Sequence, residues 1–293
     1  MNTKSFLSFL GLLLISTTLS AQTSVWKVTK DRRSVYLGGT CSVLRAGDYP
    51  LPKEFDQAFT ASPQIYFETD IFRLISTEIQ QDITNRSQST DGKTLDKILS
   101  PESWHSIQEI CGMVGIPEDN MNKVKAWRCR AMLTSLEMQK QGVVQKTMDA
   151  YFFQRTLGTE KTVNSFDTID QYITRLTSEG NGRESELIDF SLQEISGLAG
   201  NQDAMIKAWK EGDLAKLDEL YLKKLRQEHP ALYRELITQP NTNWLPKIEE
   251  LFQTSKSKFV LMGVSHLAGP DGVLAQLRQH GYTIEQVKSA SRG

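Results

Sequence analysis

Apolar residues recur along this chain with two periods, and the switches between them divide it into segments. Residues 25–29 and 34–38 alternate apolar and polar side chains around Asp31-Arg32-Arg33, the pattern of two strands joined by a tight turn. Residues 51–62 space their apolar positions for one short helix, and residues 64–68 form a third strand. From Ile71 to about Leu157 the period lengthens. Ile71, Ile75, Ile79 and Ile83 recur every four residues and predict one continuous helical face. Ser100-Pro101 supplies an N-cap followed by proline at the first helical position, and residues 121–141 and 144–157 continue the helical series. Strand character returns at residues 161–166. Helices then run to about residue 253, with Trp209-Lys210-Glu211-Gly212-Asp213 marking a stop and a restart. Residues 258–262 and 282–287 are the last strands, separated by a helix opening near Pro270.

Strands thus gather at the two ends of the chain, with one in the middle. The pattern predicts an α+β fold: a single domain over residues 22–293, its central sheet built from both chain ends, with a large helical insertion between them. No Pro/Ser-rich linker divides the chain. Residues 85–93 (NRSQSTDGK) read as an exposed surface turn.

The first 21 residues stand apart. Lys4 is their only charge, an apolar run extends from Phe6 to Ile15, and small polar residues lead to Ser20 and Ala21. This is the three-part layout of a secretory signal peptide, and the run of about ten apolar residues falls short of the roughly 20 that span a bilayer. Residues 1–21 are therefore expected to be removed on export, placing the mature chain in the periplasm or outside the cell, with no membrane attachment after cleavage. Composition narrows the rest. With 34 Lys+Arg against 35 Asp+Glu, the net charge of −1 gives no electrostatic footprint for nucleic acid. Three cysteines are too few for a disulfide framework, even in an oxidising compartment. Cys111 and Cys129 flank the turn at Gly115-Ile116-Pro117 at unequal distances, which disfavours a bridge. Three buried thiols is the simpler expectation.

Chemistry enters at the strand ends. Leu37-Gly38-Gly39-Thr40-Cys41-Ser42 and Leu261-Met262-Gly263-Val264-Ser265-His266 both break an apolar strand with glycine and carry a polar side chain three residues on. Glycine there is expected to let the backbone leave the strand with positive φ and to let another group approach closely. The polar residue then lies beyond the strand's carboxyl end, where open α/β sheets place ligands. The strand at residues 64–68 ends likewise in Glu68. Ser42, Glu68 and His266 are thus three strand-end candidates for one crevice. His105, His229, His280 and the lysines at 223 and 224 read as surface or helix-end residues, and Trp127, Trp209 and Trp244 as core anchors.

Taken with Trp26-Lys27-Val28, Asp48-Tyr49-Pro50-Leu51-Pro52, Phe67-Glu68-Thr69-Asp70, Asp149-Ala150-Tyr151-Phe152, Ala208-Trp209, Gly212-Asp213, Asn241, Trp244 and Gly269, these elements give nearly the whole mature chain a resemblance to the TraB/GumN family. These are relatives of the animal Tiki proteins, which look like metal-dependent proteases. The resemblance implies two Gly-x-x-His elements and a glutamate gathered as a metal and hydrolytic site. It assigns Glu68 and His266 as catalytic residues and metal ligands, with Asn241 and Asp167 near the substrate. It also implies a divalent ion (Mn, Co or Zn) and a peptide or glycan substrate.

The chain departs from the pattern at three places. Ser42 stands where the first histidine is expected, Phe166-Asp167-Thr168 where relatives carry Leu-Glu-Thr, and Pro240-Asn241 where they carry Arg-Asn. A zinc-type catalytic site uses three protein ligands and a water, and a hydroxyl is a much poorer ligand than imidazole. Ser42 should therefore weaken any metal, and with it the lowered water pKa that metal-assisted hydrolysis needs. Cys41 is a better zinc ligand, but neighbours on an extended segment point oppositely. A Ser42–His266–Glu68 nucleophile is chemically conceivable, with no evident oxyanion hole. Two functions follow: a hydrolase with a degenerate first motif, or a binding protein that keeps fold and crevice without turnover.

Overall fold

The computed structural model describes residues 23–90, 92–144 and 146–288. The expected signal peptide lies outside the described residues. Six strands form one mixed sheet: β1 Val25–Lys30, β2 Arg33–Thr40, β3 Gln64–Thr69, β4 Thr162–Asp167, β5 Lys258–Gly263 and β6 Thr283–Gln286, in the order β4-β3-β5-β2-β1-β6. β4, β3, β5 and β2 run parallel, while β1 pairs antiparallel with β2 and with β6. The sheet is therefore drawn from both chain ends, with helices filling the long interval between β3 and β5.

The β1–β2 hairpin turns on two residues, Asp31 and Arg32, both at positive φ (49° and 64°), and Arg33 already pairs with Lys30 inside β2. Such a turn matches the right-handed twist of the strands it joins. β5 lies between β3 and β2 and is buried along nearly its whole length. Its side chains divide by period two. Phe259 and Leu261 face a large core with Phe55, Phe152 and Trp209, whereas Val260 and Met262 face a smaller one with Trp244, Ile248 and Leu274.

Trp209 ties the long helix Glu184–Glu211 to the sheet. Its indole N–H donates to the Gly39 carbonyl at 2.7 Å, and Ser24 donates to the Trp209 carbonyl at 2.6 Å. Gly212 then ends that helix at φ 63°, where a Cβ would stand 2.4 Å from the Thr23 carbonyl oxygen, and Asp213 caps the next turn.

Four expectations change. The isoleucine series does not form one helix, because Asp70 caps Ile71–Leu74 and Ser76 caps Thr77–Arg86; Ile79 and Ile83 are buried, while Ile75 is 65% exposed. The segment 121–141 is interrupted after Glu118–Asn122 and resumes as Ala126–Lys140. Ahead of the helix expected near Pro270, which opens at Val273, an unexpected short helix, Val264–Leu267, follows β5 directly. Finally, Gly38, Gly39 and Gly263 do not take positive φ; Gly263 has φ −51°. Gly38 and Gly39 serve close approach instead, since a Cβ would meet the Phe259 ring at 2.7 Å and Val264 Cγ2 at 2.8 Å. Cys41, Cys111 and Cys129 are buried free thiols.

Candidate functional site

Parallel pairing brings the strand ends together. Thr40 of β2 pairs with Gly263 of β5, and Thr69 of β3 pairs with Asp167 of β4, so all four parallel strands finish at one edge of the sheet. Glu68 sits one residue before the end of β3, Ser42 lies two residues beyond β2, and His266 lies in the short helix that follows β5. Glu68 Oε1 accepts the Gly263 N–H at 2.7 Å. A Cβ on Gly263 would stand 3.5 Å from Glu68 Oε1, from His266 Cδ2 and from Ser265 Oγ. The glutamate and the imidazole therefore flank one backbone position.

The state of His266 follows from its partner. Asn241 is wholly buried, and its Nδ2 donates to the carbonyls of His266 (3.2 Å) and Asp271 (2.9 Å). Carbonyls only accept, so the amide is fixed with Oδ1 toward the ring, 2.8 Å from His266 Nδ1. Nδ1 must then carry the proton, which leaves the lone pair on Nε2. Burial holds the His266 pKa below the ordinary histidine value, against the opposing pull of the Glu68 charge, and so favours the neutral ring. Nε2 has no hydrogen-bond partner among the described residues. A neutral imidazole with a free Nε2 is the form that accepts a proton or ligates a metal.

Behind the ring stands Trp244, edge-on at 4.9 Å. Its indole donates to Asp167 Oδ1 at 2.8 Å, Asp167 Oδ2 pairs with Arg175 at 3.0 Å, and the Arg175 guanidinium lies 5.4 Å from the Trp244 ring centre. Asn241 and Asp167, expected beside the substrate, are thus buried and spend their polar atoms on His266, Trp244, Arg175 and the backbone. They act as positioning residues. Pro240 enters the helix Gln239–Glu250 directly after a π-helical turn, Arg234–Thr238.

Ser42 is exposed and lines a cavity of about 130 Å³ with Gly263, Ser265 and Asp149. His266 lines a neighbouring cavity of about 190 Å³, and Ser265 and Tyr221 border both. No hydrogen bond joins Ser42 to His266 among the described residues, and Glu68 is bound to Gly263 rather than to the ring. The Ser42–His266–Glu68 relay is therefore not formed. Cys41 also borders the Ser42 cavity, and burial pushes its thiol up to about 12, so it keeps its proton at neutral pH.

Asp149 is the site residue that the sequence pattern did not single out by role. It lies half-buried in the first turn of Met148–Thr156, and burial, reinforced by the charge of Glu68, pushes its carboxyl up to about 7. An acid in a first helical turn ordinarily reads as a dipole complement. Its place in Asp149-Ala150-Tyr151-Phe152 was the one available signal.

Among the described residues, no group of three His, Cys, Asp or Glu side chains converges as a metal-ligand set. The donors at the strand ends are His266 Nε2 and the Glu68 carboxylate, with a serine where a third would stand. Two strong donors fit a loosely held divalent ion and not a tightly held one.

A mixed sheet with a carboxylate and a fixed neutral imidazole at its parallel strand ends defines an α/β protein with a polar crevice at that end of the sheet. The model of the TraB/PrgY/gumN family matches residues 24–286, nearly the whole chain, and the protein belongs to that family. No curated protein and no solved structure matches it.

Proposed function

We propose that this protein is an exported, peptidase-like hydrolase that cleaves peptide bonds at the strand-end crevice. The observation that carries the proposal is the Asn241–His266 bond, which leaves a neutral Nε2 lone pair on a ring that flanks Gly263 together with the Glu68 carboxylate. Water held between these groups gives a proton to Nε2 as its oxygen attacks the carbonyl carbon. The proton then passes to the departing amine as the C–N bond breaks. Ser42 and Ser265 offer hydroxyl donors to the developing oxyanion. When bound, Mn, Co or Zn would lower the pKa of such a water; in this chain Glu68 and His266 alone would hold it. The signal-peptide pattern at residues 1–21 supports export to the periplasm or beyond. No helix among the described residues is long and apolar enough to cross a membrane.

A second function is favoured by Ser42 and by the two-donor set: a non-catalytic binder that keeps the crevice. Hydrolysis of a peptide library by the mature chain, with chelator or with added Mn, Co or Zn, separates the two. The hydrolase reading expects turnover that His266→Gln slows by at least about 100-fold. Equal turnover in both proteins would overturn the assignment of His266, and binding without turnover would establish the binder.

A further inference from the structure

We infer that the cavity lined by His266 receives the side chain of a lysine in the bound peptide and holds its ammonium at the carboxylates of Glu179 and Glu194. The inference rests on the hydrolase reading of His266 for turnover, but not for binding. The cavity of about 190 Å³ carries five charged side chains besides the imidazole: Glu179, Glu194, Glu235, Arg130 and Arg175. Their pairing leaves acid in excess. Arg175 is committed to Asp167 at 3.0 Å. Glu235 accepts from Arg183 on one oxygen and from the Gly180 N–H, at 2.8 Å, on the other. Arg130 is shared: Nη1 pairs with Glu179 Oε2 at 3.1 Å and Nη2 with Glu194 Oε2 at 3.4 Å. Four carboxylates thus meet three guanidiniums, and Glu186, 3.6 Å from Arg183, draws on one of these as well.

The unspent acceptors are particular atoms. Glu179 Oε1 and Glu194 Oε1 have no hydrogen-bond partner among the described residues, and neither is shut off from solvent. Burial, with the like charge of Glu235 on Glu179 and of Glu179 on Glu194, holds both carboxyls above the ordinary glutamate range despite Arg130. A further cation would relieve that repulsion. An ammonium is a compact charge with three donors and can take one oxygen from each of two carboxylates, whereas a guanidinium fork is matched by both oxygens of one. Here each of the two carboxylates has one oxygen left. Phe190, Leu225, Leu236 and Ile237 supply apolar wall for a methylene stem, which an α-ammonium lacks. The cavity exceeds the roughly 30 Å³ of one water several-fold, room for four methylenes and the ammonium. His266, 8% exposed and with Nε2 unpartnered among the described residues, faces the same space. Ser265 and Tyr221 join that space to the cavity holding Ser42, so a lysine seated here keeps its own backbone near the strand ends.

The test is fluorescence anisotropy on the mature chain with labelled, end-capped heptapeptides of Ala and Ser that carry Lys, Arg, norleucine or Glu at the centre. Mass spectrometry of the recovered peptide reads cleavage. Norleucine keeps the four-carbon stem and removes the charge, so this comparison needs no protein variant. The Lys peptide is expected to bind at least about tenfold tighter than the norleucine peptide, with cleavage at the bonds flanking the lysine. Glu179→Gln and Glu194→Gln, with folding checked by circular dichroism, should each lower that ratio, and together bring it close to one. Equal affinity for the Lys and norleucine peptides, tighter binding of the Glu peptide, or a Lys preference that survives both substitutions would each overturn the inference. An Arg peptide, or an uncapped peptide without lysine, that binds as tightly as the Lys peptide would overturn the choice of cation. Lys-selective binding without turnover keeps the pocket and overturns the hydrolase; turnover without Lys preference keeps the hydrolase and overturns the pocket.

Discussion

Which nitrogen of His266 carries its proton is decided by a residue 25 positions away: Asn241, itself locked by two carbonyls, forces Nδ1 to donate. Asn241→Ala removes that constraint and strands two buried acceptors. It should lower kcat/KM for peptide hydrolysis by 10- to 100-fold, the usual scale for a partner that orients a histidine, and cost about 1–3 kcal/mol of stability. Steady-state kinetics and denaturant melts read the two effects separately. Asp149 yields a prediction of opposite kind. Its carboxyl keeps a proton to about 7 in the fold, whereas an unfolded aspartate loses it near 3.9. Between those values the folded state binds more protons, so this group favours folding at low pH and opposes it as pH rises through the window. In chelator, Asp149→Asn should match the parent near pH 4 and exceed it at pH 8, by up to about 4 kcal/mol. Paired thermal melts at the two pH values check this.

Among the elements, the strand ends do most to place the site, and two glycines there differ in what they tolerate. A methyl group at Gly39 would press on Val264, whereas at Gly263 it meets only ordinary contacts at 3.5 Å. Gly39→Ala should cost about 1–3 kcal/mol of stability and Gly263→Ala far less, as urea denaturation would show. Arg130 binds three helical segments by pairing with Glu179 at 3.1 Å and Glu194 at 3.4 Å. Arg130→Met leaves both glutamates facing each other without a cation, and a loss of about 3 kcal/mol is expected in the same measurement. The parallel strands were legible in the sequence because β5 is buried on both faces and so reads as one apolar run, and because glycine and a polar residue follow β2 and β5 at the same spacing. The helical insertion was less so. The isoleucine period crosses Ser76 without a break, but a cap side chain that takes the Ile79 N–H ends one helix and starts another whatever the period says.

Across the whole molecule, the site is assembled from segments that chain separation hides. Glu68 and Asp149 lie on elements far apart in sequence, and only the fold lets one charge bear on the other. For the same reason the sequence named Asn241 and Asp167 only as substrate-side candidates and did not reveal their contacts with His266 and Trp244. The family match spans all four parallel strands whose ends form the crevice. On the proposed function, Ser42 sets how strongly a divalent ion is held there. The most direct measurement is the affinity of the purified mature chain for Mn, Co and Zn, by calorimetry and elemental content, beside Ser42→His. The crevice described here predicts weak, substoichiometric binding by the parent and a gain of at least about tenfold, to one ion per chain, on restoring the imidazole. Stoichiometric binding as tight in the parent as in the variant would contradict it.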